Sequence, residues 1–214
     1  MKGKKIISLI LTSLFVLGST TCLAAATDES QLSFDDDGKF TVLHITDIQD
    51  RYPINYVAKK FLIDTVDKVK PDLIVLGGDN IAGNVIFLKS NISRAINEYM
   101  SIFEERGIKV ASVFGNHDAE GKSSTKQGQM EIYKQYNCYI GTEGFVDEED
   151  NRVGTYNLPI MKSDGSGYGF NLWLIDSGDY NDSNEYGGYD YVTDAQIQWY
   201  KETAEKLKEE NGGE

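Results

Sequence analysis

Asp47, Gln49, Asp79, Asn116 and His117 are the residues of this chain whose types and spacing could do chemistry. They sit in three short polar clusters, Asp47-Ile48-Gln49, Gly78-Asp79-Asn80 and Gly115-Asn116-His117-Asp118. Each cluster follows an apolar run, respectively Phe40 to Ile45, Leu73 to Leu76 and Val110 to Phe114. Two carboxylates and two side-chain amides offer oxygen donors to hard cations, and Asp79 could bridge two cations with its two oxygens. An imidazole beside them could donate a proton or a hydrogen bond to developing charge. The chemistry that such a set serves is metal-assisted hydrolysis. Taken singly, each residue has a plainer reading, since a strand-terminal Asp is often a helix cap and Asn suits a turn of positive φ. Gly77-Gly78 and Gly115 leave room where the backbone must turn sharply beneath a site.

The runs ahead of the clusters read as strands and the segments between them as helices. Lys39 to Thr46 has apolar and β-branched residues on both faces, as a strand buried on both sides does. From Asn55 to Lys70, Val57, Phe61, Leu62, Thr65, Val66 and Val69 fall on one helical stripe that Pro71 ends. Asp72 to Leu76 is the second strand. Ile92, Ala95, Ile96, Tyr99, Met100 and Phe103 mark the next helix, with Gly107 as its stop, and Ile108 to Phe114 is the third strand. This β-α-β-α-β order implies an α/β fold of parallel strands with right-handed helical crossovers. Ligands in such sheets gather beyond the carboxyl ends of the strands, where all three polar clusters stand.

The second half is less regular. Gly128 to Tyr136 suits a helix, and Thr155 to Leu158 and Tyr168 to Ile175 suit antiparallel strands across the turn-rich Met161 to Gly167. Asp176 to Tyr191 is an acidic loop rich in Gly and Tyr, read either as a solvated connection or as a partner-binding segment. Thr193 and Gln196 form a capping box that opens a last helix, with Ile197, Tyr200, Ala204 and Leu207 as its inner face.

Lys2, Lys4 and Lys5, the apolar stretch from Ile6 to Gly18 and Ala24-Ala25-Ala26 have the form of a cleavable export leader over residues 1–26. The apolar stretch is short for a transmembrane span, so no stable membrane span is expected after cleavage. The expected destination is the periplasm, the cell wall or the medium. Residues 27–38 read as a flexible lead-in, and 39–214 as one domain. Without the leader, 18 basic residues face 34 acidic ones, a net charge of −16. That surface repels nucleic acid and anionic membranes, and it admits phosphate esters only where bound cations reverse the local field. Cys138 then has no intramolecular partner and reads as a small buried hydrophobe.

With those motifs in place, the chain resembles the calcineurin-like metallophosphoesterases, in the exported branch related to purple acid phosphatases. Their pattern runs D-x-H, G-D, G-N-H-[DE], a lone H and G-H-x-H. The likeness covers about Phe40 to Tyr200 and includes Leu174-Ile175-Asp176-Ser177-Gly178-Asp179-Tyr180 ahead of a Gly/Tyr loop. The resemblance implies the amino-terminal part of an α/β/β/α sandwich and two metal ions, Mn, Fe or Zn. It also implies a small phosphate-ester substrate attacked by a metal-activated water. It makes Asp47, Gln49, Asp79 and Asn116 metal ligands, with Asp79 as the bridge, His117 the catalytic residue at the leaving group, and Asp118 support behind them.

Two departures from the pattern matter. Gln49 stands where the family usually has His; as an amide ligand it favours Mn or Fe over Zn, and otherwise it would hold a metal-bound water. The later histidine motifs are absent, since the chain contains only His44 and His117, and His44 reads as a strand-face residue. The chain is therefore expected to be incomplete at its carboxyl end. An inactive exported domain that binds metal or a partner weakly is the alternative to a working phosphoesterase.

Overall fold

The computed structural model describes residues 31–86, 88–121, 125–146, 152–181 and 187–213. The expected leader, residues 1–26, lies outside this set, as do residues 27–30 of the lead-in.

Leu73-Ile74-Val75-Leu76 has no polar side chain to place, which suits a strand covered on both faces. It forms β3 (Leu73–Leu76), with β2 (Val42–Ile45) and β4 (Lys109–Ser112) parallel on either side. Val42, Leu73 and Lys109 stand in register at one end, and Ile45, Leu76 and Ser112 at the other. The period of two sends Ile74, Leu76 and Val110 to a core shared with helices. It sends Leu73 and Ala111 to a second core shared with another sheet.

The helical side of that sheet carries α1 (Tyr56–Val69), α2 (Lys89–Glu104) and α3 (Lys126–Tyr133). α2 is the largest contributor to the helix-side core, through Ile92, Ala95, Ile96, Tyr99, Met100 and Phe103, as its spacing predicts, and through Ile102 as well. α3 closes over it, and the Tyr99 and Tyr133 hydroxyls meet at 2.5 Å inside the core. The opposite face packs on the second sheet, in the order β1 (Leu32–Ser33), β5 (Tyr156–Met161), β6 (Tyr168–Leu174). β5 and β6 pair antiparallel, as expected. The buried Tyr156 hydroxyl stitches the sheets together, accepting from the Ser112 amide at 2.9 Å and donating to its carbonyl at 2.8 Å. α4 (Asp194–Glu210) covers the outer face of the second sheet, with Trp173 of β6 against Trp199 and Tyr200. The layers are therefore helix, sheet, sheet, helix, the architecture that the resemblance implies.

Four expectations change. β2 is not buried on both faces: Val42 and His44 are exposed and Leu43 and Ile45 only half-buried, because β2 is an edge strand in the described residues. α1 turns a narrower face inward, since it lies toward that edge. Leu62 and Val66 are buried, while Val57 and Phe61 of the expected stripe are 71% and 68% exposed. α4 keeps its capping box, but its most buried residue is Gln196, and Ile197 and Tyr200 are exposed. Leu32 and Ser33, expected in a flexible lead-in, pair in parallel with Ile160 and Met161, and Leu32 is buried in the inter-sheet core. No helix among the described residues is long and apolar enough to cross a membrane.

Candidate functional site

The turn after β2 and the turn after β3 are built from residues held in unusual backbone conformations. Asp47, Gln49 and Asp79 have φ of 56°, 39° and 51°. Among the described residues the other non-glycine with positive φ is Lys70, the left-handed cap of α1. A left-handed conformation costs an L-residue about 1–2 kcal/mol, so three in one place need local support. The turns support each other: the Asp47 amide donates to the Gly78 carbonyl at 3.1 Å, and the Gln49 amide to the Asp79 carbonyl at 2.9 Å. Gly78, at φ 104°, lies so close to the turn after β4 that a Cβ would sit 2.7 Å from the Gly115 nitrogen.

Beneath the Asp79 turn lies Asp118, fully buried. Its carboxylate accepts four backbone N–H groups, from Asp79, Asn80, Ile81 and Gly115, at 2.8–3.0 Å. Burial pushes this carboxyl up to about 6, against the pull of the amides that donate to it. Asp118 therefore shapes the site from behind, in keeping with the supporting place expected of it.

Above it, Gln49 bonds Asp79, a chain of bonds runs from Asn116 to His117, and the Asp47 carboxylate bonds its own neighbour. Asp79 Oδ1 accepts the His117 amide at 2.9 Å, and the Gln49 side-chain amide donates to Asp79 Oδ2 at 3.4 Å. The Asp47 carboxylate accepts from the Thr46 hydroxyl at 2.7 Å. Asn116 Nδ2 donates to the Tyr180 hydroxyl at 2.6 Å, Tyr180 donates to Glu120 Oε1 at 2.7 Å, and Glu120 Oε2 meets His117 Nδ1 at 2.7 Å. The Glu120 carboxylate raises the His117 pKa above the ordinary imidazole value, and His117 lowers that of Glu120 in turn. An ionised carboxylate only accepts, so Nδ1 carries the proton toward Glu120 and Nε2 is the nitrogen left for a ligand.

Asp47, Gln49, Asp79, Asn116 and His117 thus come from three strand ends into one linked rim. His44 stays apart on β2, where its ring lies over Gly77. Among the described residues no three His, Cys, Asp or Glu side chains group so as to hold a metal ion. The donor set is a carboxylate pair completed by amide oxygens, all hard oxygen ligands, which fits Mn, Fe or Mg in kind better than Zn. Gly115 is part of the cradle, because a Cβ there would stand 2.1 Å from Asp79 Oδ1.

Three residues of the assembly were not singled out by spacing. Glu120 has its signal in the sequence only in hindsight, three residues beyond His117. Tyr180 belongs to the Gly/Tyr loop, and its part in the site depends on where that loop lands. Lys126 is buried at the start of α3, 2.8 Å from Asp176 and 2.6 Å from Asp179, and anchors the strand-to-loop junction. Burial alone would pull its ammonium down, but the two carboxylates hold it above the usual lysine value. Cys138 is buried as expected, and burial pushes its thiol well up, with Glu104 reinforcing the shift. Residues 182–186 of the loop lie outside the described residues.

Comparison with known proteins identifies the family. The family model for calcineurin-like phosphoesterases matches residues 40–212. The chain is 30% identical to the Arabidopsis thaliana protein named "Probable inactive purple acid phosphatase 14", over 95% of this chain and 57% of that protein. It is 26% identical to "Probable inactive purple acid phosphatase 29" of the same plant, over 98% of this chain and 59% of the other. "Phosphatase DCR2" of Saccharomyces cerevisiae is 27% identical over 82% of this chain and 33% of its own length. The chain spans a little over half the length of the two plant relatives.

Proposed function

We propose, because this chain belongs to the calcineurin-like phosphoesterase family, that its rim of Asp47, Gln49, Asp79, Asn116 and His117 serves metal-dependent hydrolysis of phosphate esters. The observation that carries the reading is the convergence of these donors on one rim, with Asp47, Gln49 and Asp79 all held at positive φ. Strain of that kind persists where a function needs the resulting geometry.

The family generally uses a dinuclear metal centre. In this chain Asp47, Gln49 and Asp79 would hold one cation and Asp79 with Asn116 the other, Mn or Fe being the favoured metals. Bound there, the cations would supply an activated water and charge stabilisation at the phosphoryl oxygens. The chain's own groups do the rest. Asp118 fixes the Asp79 turn through three of its backbone amides and ties it to Gly115. His117, oriented through Nδ1 by Glu120, presents Nε2 toward ligand; when protonated it donates to the leaving oxygen of the ester. With a net charge of −13 for the chain, an anionic ester approaches productively only at a rim whose charge cations have reversed. A small phosphate ester outside the cytoplasm is the proposed substrate class, and nucleic acid is not a proposed partner.

One observation favours a second reading, a domain that binds cations weakly without turnover. Among the described residues no three His, Cys, Asp or Glu side chains group so as to hold a metal ion, and both plant relatives carry "inactive" in their names. The test is hydrolysis of p-nitrophenyl phosphate and its bis-ester with added Mn²⁺, beside calorimetric Mn²⁺ titration. Turnover that Asp79→Ala removes supports the enzyme. Mn²⁺ binding that Asp79→Ala removes, without turnover, supports the second reading. Neither binding nor turnover overturns both.

A further inference from the structure

We infer that Tyr180 is a positioning residue for Asn116, selecting which end of the Asn116 amide is left open for a ligand. The inference rests on the metal reading above only in naming a cation as that ligand. Its argument is one of counting protons. A tyrosine hydroxyl has one proton to give, and Glu120, which pairs with His117, can only accept. The proton therefore goes to Glu120 Oε1, at 2.7 Å. What the Tyr180 oxygen offers Asn116 at 2.6 Å is lone pairs, so the amide must turn its NH₂ group toward Tyr180. Turned over, two oxygens would face each other with no proton between them. The amide carbonyl, the end that can coordinate a hard cation, is the end left free.

Burial does not explain Tyr180. It is 48% exposed, yet both hydrogen-bonding capacities of its hydroxyl are used within the site. The loop that delivers it is tied down on both sides. Asp176 and Asp179 grip the buried Lys126, and the Tyr180 ring lies 5.6 Å from that of Tyr189. Beyond Tyr189, the next residue, Asp190, takes Arg152 at 2.7 Å. A large side chain held at the surface by a buried ion cluster, with its hydroxyl spent on Asn116 and Glu120, is placed for those two contacts.

The experiment uses the protein free of metal. The Asn116 side-chain NH₂ signals, identified by their loss in Asn116→Asp, are followed by nuclear magnetic resonance in the native chain and in Tyr180→Phe. One NH₂ proton should be shifted and protected from exchange in the native chain and should move to free-amide values in the variant. Unchanged signals overturn the inference. Glu120→Ala is the second variant, because it leaves the phenol in place but frees its proton for either end of the amide; the same signals should lose their protection, and their persistence also overturns it. Titrated with Mn²⁺, Tyr180→Phe should bind about fivefold to tenfold more weakly, the worth of one hydrogen bond, with no further loss in an Asn116→Ala background. A native chain that binds no Mn²⁺ sinks the metal reading, while the amide signals still decide the role of Tyr180.

Discussion

Asp118 Oδ2 takes the backbone N–H of Asp79 at 2.9 Å, so a fully buried carboxylate sets the conformation of the turn that carries the half-buried Asp79. Asp118→Asn keeps the shape but replaces one acceptor oxygen with a donor among four donors. Leaving two or so buried amides unpaired should cost about 2–5 kcal/mol, read as a lower midpoint in urea. The same group has a pH signature in the metal-free protein. Its native pKa, about 6, stands above the unfolded value of 3.8, so the native state keeps its proton longer. The stabilisation is full below about pH 4 and is lost as pH rises through 6, by up to about 3 kcal/mol. Urea midpoints compared at pH 5 and pH 7 should differ in that direction, and Asp118→Asn should flatten this part of the difference.

Gly115→Ala tests the closeness of the turns. The added methyl would meet Asp79 Oδ1 at 2.1 Å and the Asp79 nitrogen at 2.7 Å, so the carboxylate must leave its place. Overpacking of this kind costs about 1–3 kcal/mol of stability, and Mn²⁺ binding should fall more steeply than the stability does. Gly165→Ala is the control: its φ of 69° strains an added methyl, but the methyl opens onto empty space away from the rim, and its Mn²⁺ titration should match that of the native chain.

The His117–Glu120 pair predicts a direction of titration. With Glu120 raising its pKa, the imidazole of His117 should titrate above 6.5 in the metal-free protein. A group raised in this way stabilises the fold fully below pH 6.5, and that contribution disappears as pH passes through the raised native value. The chain has only His44 and His117, so two imidazole signals suffice to follow it. Glu120→Gln should bring the His117 midpoint down, and a midpoint that stays put would show that the carboxylate does not govern it.

What the sequence discloses about this molecule follows the range of the forces involved. β3 is legible because four consecutive apolar residues leave no exposed face, and the Gly-Gly-Asp after them marks where the chain must turn. α2 and the Thr193–Gln196 box are legible because helix periodicity and capping are local. The inner face of α1 is narrower than its apolar stripe, since amphipathic spacing leaves open which flank of a wide stripe finds a partner; Leu62 and Val66 do, Val57 and Phe61 do not. Leu32–Ser33 pairs with Ile160–Met161, a contact no local window contains. The strand-end donors could be read for the same reason as β3, but Tyr180 and Lys126 could not, because their roles depend on a loop landing against α3 and the turn after β4.

Lys126 is the residue on which that landing depends. Its ammonium, 5% exposed, faces Asp176, itself fully buried, and Asp179, and Asp176 also accepts the amides of Val153 and Gly178. Lys126→Met removes the cation at nearly constant volume and leaves a buried carboxylate with amides alone to offset its charge. Breaking a buried pair from one side typically costs about 3–5 kcal/mol, and the urea midpoint should fall accordingly. Lys126→Met combined with Asp176→Asn should recover part of the loss, since the uncompensated charge is then gone. The loop should nevertheless stay loosened in the double variant, because Asp179 no longer has its ammonium partner. Protease sensitivity between Asp176 and Tyr191 reads this directly: it should rise in both variants, and an unchanged cleavage rate would mean that the ion cluster does not hold the loop.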